Sequence, residues 1–423
     1  MNARERVQLA LSHQEADRVP LDLGGSPVTG MHVSSVYALR QALGLDAPGA
    51  PVRVVEPYQM LGEIAPDLMD ALGVDVVGLG LPKTMFGFEN VGWKPWVMNG
   101  TPVLVPEGFN TDPEPDGELL LYPEGDKSAP PSGRMPNGGW YFDAIIRQPP
   151  IDDDHLNVED NLEEFAPISD EDLAYLARES ERLYAQGRAI FGNFGGTAFG
   201  DIALVPAPWL KHPKGIRDVE EWYVSTILRR DYVYQVFERQ CEIGLANLEK
   251  IHCVVGDRVS VVFVTGTDFG TQRGPFISTQ AYRDLYLPFH KAVNDWVHKN
   301  TAWKTFIHTC GSVIALLPDF IEAGFDILNP VQCSTSGMAP LELVRRFGDA
   351  ITFWGGGVDT QQTLPFGTAD QVRNQVCERI KIFGPGGGFV FNTIHNVQAR
   401  TPVENLTALY QAVRECGTYP FSL

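Results

Sequence analysis

His308 and Cys310 are the residues of this sequence whose types and spacing best suit metal chemistry. They stand two positions apart in His308-Thr309-Cys310-Gly311, directly after an apolar run. Residues two apart in a strand project to the same side, and imidazole and thiolate are donors that zinc prefers. The spacing alone is weak evidence, because buried free cysteines are common in protein cores. A position between a strand and a following helix favours a metal site.

A catalytic zinc site needs a third protein ligand and keeps its fourth position open. Two residues qualify by their positions. His395 follows the last predicted strand, and Cys333 lies just beyond the sixth. Both side chains are expected near the axis of the predicted fold, so the residues alone leave the third ligand open.

Other polar residues follow the predicted strands and are candidates for binding or catalysis. We assign catalytic roles to Asp268 and Asn392. Substrate-binding roles are assigned to Asp22, Asn193, Gln272, Gln332 and Asp359. The simpler alternative for each is that it holds a turn or caps a helix, and this applies most to Asp268 and Asp359. Arg273, in the same Gly-rich loop as Gln272, is a weaker candidate.

These residues are positioned by eight short apolar runs that alternate with amphipathic segments. The runs span residues 18–24, 74–78, 188–192, 258–264, 304–308, 325–329, 350–354 and 388–392. Helices are predicted at 3–11, 169–187, 281–299, 312–323, 340–347, 368–383 and 402–415. This alternation predicts an α/β protein with a parallel sheet covered by helices. Eight units favour a single (β/α)8 TIM barrel over residues 1–423, with a doubly wound sheet as the alternative. In such barrels the active site lies at the C-terminal ends of the strands.

Residues 85–143 do not follow this alternation of apolar runs and amphipathic segments. They are rich in Pro, Gly and aromatic residues, and short apolar runs alternate there with turn signals such as Asp116-Gly117 and Asn137-Gly138. That pattern is typical of β-hairpins. We predict a β-meander inserted into a barrel loop, as a structural cap, a lid or an oligomer contact.

The amino-acid composition limits the classes of molecule that this protein is expected to bind. The formal net charge is −20, from 33 basic and 53 acidic residues, which argues against nucleic acid and against anionic membrane surfaces. The N-terminal residues lack the apolar stretch of a secretory signal, so we expect a cytoplasmic protein with a small-molecule substrate.

The six cysteines are scattered and are expected to be free, buried or metal-bound rather than paired.

Motifs along most of the chain resemble the uroporphyrinogen decarboxylase superfamily. They are Arg4-Glu-Arg-Val7, Asp17-Arg-Val-Pro-Leu-Asp22, Asp268-Phe-Gly-Thr-Gln-Arg-Gly-Pro275, His308-Thr-Cys-Gly311, Trp354-Gly-Gly-Gly-Val-Asp359, Asn392-Thr-Ile-His395 and Thr401-Pro-Val-Glu-Asn405. The decarboxylases of this superfamily use an Arg-rich motif after the first strand to bind a porphyrinogen. Here Leu21-Asp-Leu-Gly-Gly25 occupies that place. Its acidic residue would repel an octacarboxylate, so porphyrin decarboxylation is not expected.

The other branch of the superfamily contains zinc-dependent, cobalamin-linked methyltransferases, in which a His-x-Cys pair and a later Cys hold the zinc. The resemblance implies that His308 and Cys310 are ligands here and that His395 stands where the later Cys is expected. We therefore favour His395 over Cys333 as the third ligand. An imidazole in place of a thiolate leaves the zinc more positive, which weakens a bound thiolate as a nucleophile and strengthens a bound water as an acid.

The resemblance thus implies a zinc-dependent methyltransferase that exchanges a methyl group between a corrinoid and a small molecule, such as a thiol, tetrahydrofolate or a methoxylated compound. We expect the corrinoid (cobalamin) on a partner protein, because no cobalamin domain is evident in the sequence. A homodimer is left open. Two alternatives are a lyase or decarboxylase acting on a small carboxylic acid, and a non-catalytic scaffold that binds a corrinoid protein.

Overall fold

A computed structural model describes residues 1–421, and its centre is a curved, parallel seven-stranded sheet. The strands lie side by side in chain order and follow the predicted apolar runs closely. They are Val76–Gly80, Ala189–Asn193, Val259–Thr265, Lys304–His308, Ile327–Asn329, Thr352–Trp354 and Phe389–Val390. We number them as barrel strands two to eight.

Residues 20–22 close this sheet into a ring and form the first barrel strand. On one side, the Asp22 N–H donates to the Phe391 carbonyl over 2.9 Å, and the Phe391 N–H donates to the Pro20 carbonyl over 2.8 Å. On the other side, the Asp75 N–H donates to the Leu21 carbonyl over 2.8 Å. A doubly wound sheet would leave two open edges, so the predicted eight-stranded barrel is confirmed. The first strand is shorter than the predicted 18–24.

The barrel interior is filled with large apolar side chains. Phe191, Phe306 and Trp354 meet edge to face, with ring centroids 4.8 to 5.8 Å apart. The N-terminal helix, Ala3–Leu11, begins at an Asn2 capping box with Glu5. Its Val7, Ala10 and Leu11 pack into the same buried cluster. The barrel is therefore solid inside, and one short helix closes its N-terminal end.

Buried charges hold the first strand in place. The carboxylate of Asp75 is 1% exposed and accepts hydrogen bonds from Arg6 over 2.6 Å, from Arg18 over 2.8 and 2.9 Å, and from the Leu21 N–H over 2.8 Å. One side chain thus joins the N-terminal helix, the first strand and the second strand.

Helices cover the outside of the barrel. They span Val33–Ala42, Pro66–Leu72, Asp170–Tyr184, Val219–Leu228, Arg230–Val255, Thr279–Leu285, Leu287–Asn300, Leu317–Glu322, Pro340–Phe347, Thr363–Phe366, Ala369–Phe383 and Val403–Cys416. Single 3-10 turns occur at Pro123–Gly125, Val158–Asn161 and Gly256–Arg258. No helix within residues 1–421 has both the length and the apolar character needed to span a membrane.

Two predicted helices differ from the structure. The predicted helix at 281–299 is divided at Tyr286, where a second helix starts with Pro288 in its first turn. The predicted helix at 312–323 begins only at Leu317. The Ser312 hydroxyl donates to the Ser336 carbonyl over 2.6 Å, so residues 312–316 follow a neighbouring loop instead of a helical path.

Two small sheets stand beside the barrel mouth. The first pairs Leu61–Gly62, Val52–Glu56, Thr101–Val105 and Lys94–Met98, in that order. The second is an antiparallel meander of Thr111–Pro113, Leu119–Leu121, Gly133–Met135 and Asp143–Ala144. Residues 85–143 supply most of these strands, and residues 52–62 contribute two strands that the sequence pattern did not indicate.

Two cysteines form a disulfide, which corrects the expectation of unpaired cysteines. Cys377 and Cys416 are joined across the adjacent helices Ala369–Phe383 and Val403–Cys416, with their Cα atoms 5.4 Å apart. They are 39 residues apart in sequence, and only the packing of these two helices brings them together. Within the described residues, Cys241, Cys253, Cys310 and Cys333 are free thiols.

We expect Asp75→Asn to destabilise the barrel by about 3–5 kcal/mol, because it removes the buried carboxylate that Arg6 and Arg18 share. Arg6 keeps its pair with Asp17, whereas Arg18 keeps only backbone carbonyls as acceptors. Chemical denaturation measures the free energy of unfolding. Asp295→Asn is the matched control, because the Asp295 carboxylate is exposed and pairs with the exposed Lys291, where a salt bridge contributes at most about 1 kcal/mol. Equal losses for both variants would contradict the role given to Asp75.

Candidate functional site

His308, Cys310 and His395 come together at the C-terminal mouth of the barrel. One ligand atom from each lies within 4.8 Å of the other two. His308 ends the fifth strand, Cys310 follows in the next loop, and His395 follows the eighth strand. The cluster is the one that the sequence predicted with His395 as third member.

The geometry of the first pair suits zinc. The Cys310 Sγ lies 3.5 Å from the His308 Nε2. Bond lengths of about 2.3 Å to sulfur and about 2.0–2.1 Å to nitrogen, at a tetrahedral angle, place two such ligand atoms about 3.6 Å apart. The pair therefore stands at the separation that a tetrahedral zinc ion requires.

A hydrogen-bond chain presents the lone pair of His308 to the site. The Asn329 amide nitrogen donates to the Trp354 carbonyl over 2.8 Å, so its Oδ1 is the acceptor that faces the His308 Nδ1 at 2.6 Å. The ring proton is thus held on Nδ1, and Nε2 is free to ligate. Burial lowers the pKa of His308 to about 4, which keeps the ring neutral at physiological pH.

The loop of Cys310 is fixed by two side-chain acceptors from neighbouring strands. Asp268 Oδ1 accepts from the Cys310 N–H over 2.6 Å, and Gln332 Oε1 accepts from the Gly311 N–H over 2.7 Å. Burial, with the nearby Asp268 charge, raises the pKa of the Cys310 thiol well above its usual value. A metal ion must therefore displace the thiol proton to bind.

Gly311 is required by the close approach of two loops. Its φ is +87°, and a Cβ there would stand 2.3 Å from the carbonyl carbon of Gly270. The Gly270 N–H donates to the Cys310 carbonyl over 3.1 Å. Glycines at both positions let the loops after strands four and five meet beside the sulfur.

His395 is less prepared for a metal than His308. Burial and the neighbouring His308 ring lower its pKa to about 4, so it too is neutral. Its Nδ1 accepts from the Asn396 N–H over 2.8 Å. Ligation through Nε2 would place the ring proton on Nδ1, opposite that N–H. Ligation through Nδ1 would need the lone pair that this N–H occupies, so in either case His395 must give up its hydrogen bond with Asn396 to bind a metal.

Cys333 stands outside the cluster. Its Sγ contacts the Val331 carbonyl at 3.3 Å, and the charges that affect its pKa are those of Arg379, Asp359 and Glu378. Among the described residues, His395 is therefore the third donor that geometry brings to the pair.

The cluster opens into a cavity of about 360 Å³ at the mouth of strands four to eight. Its lining residues are Gly270, Thr271, Gln272, Cys310, Gly311, Pro330, Gln332, Thr360, Gln361, Ile394 and His395. Gln272 and Gln332, both predicted to bind substrate, are among them. The lining residues carry no lysine or arginine, and apolar atoms make up more of the lining surface than polar atoms.

Four other predicted site residues lie elsewhere. Asn193 lines a second cavity, described below. Asp22 is the buried last residue of the first strand, and its carboxylate accepts from the Trp354 Nε1–H and the Gly25 N–H, both over 2.9 Å. Asn392 donates to the Asp22 carbonyl over 3.0 Å. Asp359 accepts from the Gln361 and Gln362 N–H groups, which is the turn-capping alternative considered above. Arg273 is exposed and lines neither cavity.

Two residues of the site were not singled out from the sequence. Asn329 is the last residue of the sixth predicted strand, so its position carried the same signal as the residues that were chosen. Asp201 carried no such signal, because it lies in an irregular segment after the third strand. Burial, together with Asp268, raises the pKa of Asp201 to about 7, and its charge also acts on Cys310.

Comparison with known proteins agrees with this description. Residues 261–416 match the family model of uroporphyrinogen decarboxylase (URO-D), which confirms the predicted resemblance over the half of the barrel that holds His308, Cys310 and His395. No curated protein sequence matches the chain significantly.

Solved structures show the likeness of fold. A methyltransferase from Methanosarcina mazei is similar with a TM-score of 0.55 and 16% identity, over 98% of this chain and 99% of that one. At this identity, the likeness shows the fold alone. A D-psicose 3-epimerase solved with D-fructose (TM-score 0.32, 9% identity, 61% and 84% of the two chains) and the GH53 catalytic domain of Ignisphaera aggregans (0.33, 14%, 94% and 99%) are too distant to support an argument.

We expect His308→Ala, Cys310→Ala and His395→Ala each to lower bound zinc strongly, because each removes one of three donors. Cys333→Ala is the matched control and should retain the zinc of the unmodified chain. The measurement is elemental analysis after loading with zinc and dialysis. Full occupancy in His395→Ala would contradict its assignment as the third ligand.

Asn329→Ala should weaken zinc binding about 10–100-fold although every ligand remains, because the His308 ring loses the acceptor that fixes its proton. Competition with a chelator measures this affinity. Asn405→Ala is the control, since Asn405 is also a buried amide bonded to backbone carbonyls, but in the last helix. If both variants bind zinc equally well, Asn329 does not orient the site.

Proposed function

We propose that this protein is a zinc-dependent methyltransferase, in which His308, Cys310 and His395 hold the metal and the adjoining cavity holds a small methyl acceptor or donor. The observation that carries the proposal is the 3.5 Å contact between the His308 Nε2 and the Cys310 Sγ, with the histidine proton held on the other nitrogen. The URO-D match and the fold of the Methanosarcina mazei methyltransferase support it.

Zinc bound at this cluster would supply a Lewis acid that lowers the pKa of a coordinated thiol or water. The protein's own groups do the rest. Asp268 and Gln332 keep the Cys310 loop rigid, and Asn329 keeps His308 in the ligating tautomer. Three protein donors would leave one coordination position for the small molecule, and the cavity lined by Gln272 adjoins Cys310 and His395.

The charge of the ligand set favours a particular range of substrates. Two neutral imidazoles and one thiolate would leave a zinc ion with one net positive charge, more than a set with two thiolates would leave. Such an ion binds an anionic oxygen or sulfur firmly and activates a thiolate less. Burial raises the pKa of Asp268, and in its ionised form this carboxylate, which accepts from the Cys310 N–H, would offset part of this positive charge.

The cavity also fits a small substrate better than a porphyrinogen. About 360 Å³ with a lining free of lysine and arginine offers little to balance many carboxylates. We propose that the methyl group passes to or from a corrinoid carried by a separate protein, which would approach the mouth of the barrel. The small molecule is a thiol, tetrahydrofolate or a methoxylated compound.

The test is demethylation of methylcobalamin by the zinc-loaded chain, followed by absorbance, with a thiol or tetrahydrofolate as acceptor. Methoxylated donors are tested in the reverse direction with reduced cobalamin. We expect turnover that needs zinc and is lost in Cys310→Ser but kept in Cys333→Ala. A chain that holds no zinc and transfers no methyl group would contradict the proposal. Activity on a small carboxylic acid that survives metal removal would indicate a lyase, and corrinoid-protein binding without any turnover would indicate a scaffold.

A further inference from the structure

A second cavity, of about 370 Å³, lies in the other half of the barrel mouth. Its walls are the loop after strand one, the ends of strands two and three, and the edge of the first small sheet. No residue lines both this cavity and the one at the metal cluster. Much of the wall is aliphatic, from Leu61, Ile64, Met69, Leu79 and Leu81.

Glu56 places a carboxylate in this aliphatic wall. Its two oxygens accept from the Tyr58 and Met85 N–H groups, each over 3.0 Å. A carboxylate has about four acceptor positions, so each oxygen can accept a further hydrogen bond. Within residues 1–421, no Lys, Arg or His side chain forms an ion pair with Glu56. Lys83, which also lines the cavity, is exposed and does not pair with it.

The environment of Glu56 disfavours its charge. Burial raises the pKa of Glu56 to about 7, and the two backbone N–H groups offset this only in part. Two N–H groups alone could be satisfied by neutral acceptors. Linking the segments of Tyr58 and Met85 therefore does not by itself explain why a buried acid, with no cation beside it, stands in this apolar wall.

Asn90 provides a second hydrogen-bond acceptor without a donor, close to Glu56. Its amide nitrogen donates to the Val55 carbonyl over 2.9 Å, whereas its Oδ1 is buried and has no partner. Val55 is the neighbour of Glu56, so both acceptors belong to one end of the cavity. Buried acceptors without donors are rare in native proteins.

We propose that this cavity binds a small organic ammonium compound, whose N–H groups donate to Glu56 and Asn90 while its carbon skeleton packs against the aliphatic wall. A cation restores the charge of the carboxylate, and its N–H groups supply the missing donors. This inference does not rest on methyl transfer or on the metal cluster.

Isothermal titration calorimetry of the full chain tests it. The probes are primary alkylammonium chlorides from methylammonium to cyclohexylammonium, each compared with the alcohol of the same skeleton. We expect at least one ammonium ion to bind at least tenfold more tightly than its alcohol. Glu56→Gln should weaken that binding at least tenfold, whereas Glu63→Gln, an exposed residue of the neighbouring strand region, should leave it unchanged.

Two further variants keep the test decisive. Leu81→Trp adds a bulky side chain to the cavity wall and leaves Glu56 and Asn90 in place, so it should abolish binding even if Glu56→Gln folds poorly. Cys310→Ser should bind the ammonium ion normally, because it alters only the metal cluster. The proposal is overturned if no ammonium ion binds better than its alcohol, if binding survives Leu81→Trp, or if binding is lost in Cys310→Ser.

Discussion

The Asp75 carboxylate is the interaction on which the rest of the molecule depends. A buried carboxylate is stable only with several donors around it, and here these come from Arg6, Arg18 and the Leu21 N–H. The ion pairs therefore form only when the N-terminal helix has closed the barrel floor and the first strand has closed the ring. Both cavities depend on that closure, because the loops that follow strands one and eight belong to their walls.

The three candidate metal ligands, His308, Cys310 and His395, are not held with equal rigidity. His308 and Cys310 are held by side chains from the fourth and sixth strands, and the hydrogen bonds leave each with one ligating atom directed at the other. His395 is held by Asn396 instead, whose side chain bonds to the Gly30 N–H, the Pro27 carbonyl and Gln59. Two ligands thus belong to a fixed pair, and the third is attached to the loop that borders the second cavity.

The sequence predicted the barrel strands and many of the helices, but not the helices Val33–Ala42, Pro66–Leu72, Val219–Leu228 and Arg230–Val255. Strands such as 304–308 and helices such as 340–347 match the predicted bounds, because buried strands and amphipathic helices carry strong patterns. The pair of His308 and Cys310, with His395, also followed from strand ends and family motifs. It was harder to tell which polar residues at strand ends line a cavity and which only stabilise the barrel. The Asn392 amide donates to the Asp22 carbonyl, and the Asp22 carboxylate accepts from Trp354 and Gly25. Both side chains are therefore used within the barrel wall, and only side-chain directions distinguish them from Gln272. Pairings between distant segments, such as Cys377 with Cys416 or Val52–Glu56 with Thr101–Val105, leave no local pattern.

The N-terminal helix, which closes the floor of the barrel, limits how ligands can enter and leave the cavities at the opposite end. With Val7, Ala10 and Leu11 packed beneath the aromatic interior, the axis of the barrel is filled, so ligands reach both cavities from the mouth of the barrel and not through its floor. If a corrinoid protein covers the mouth as proposed, a small ligand has to bind before that protein docks, and its product stays bound until the protein leaves.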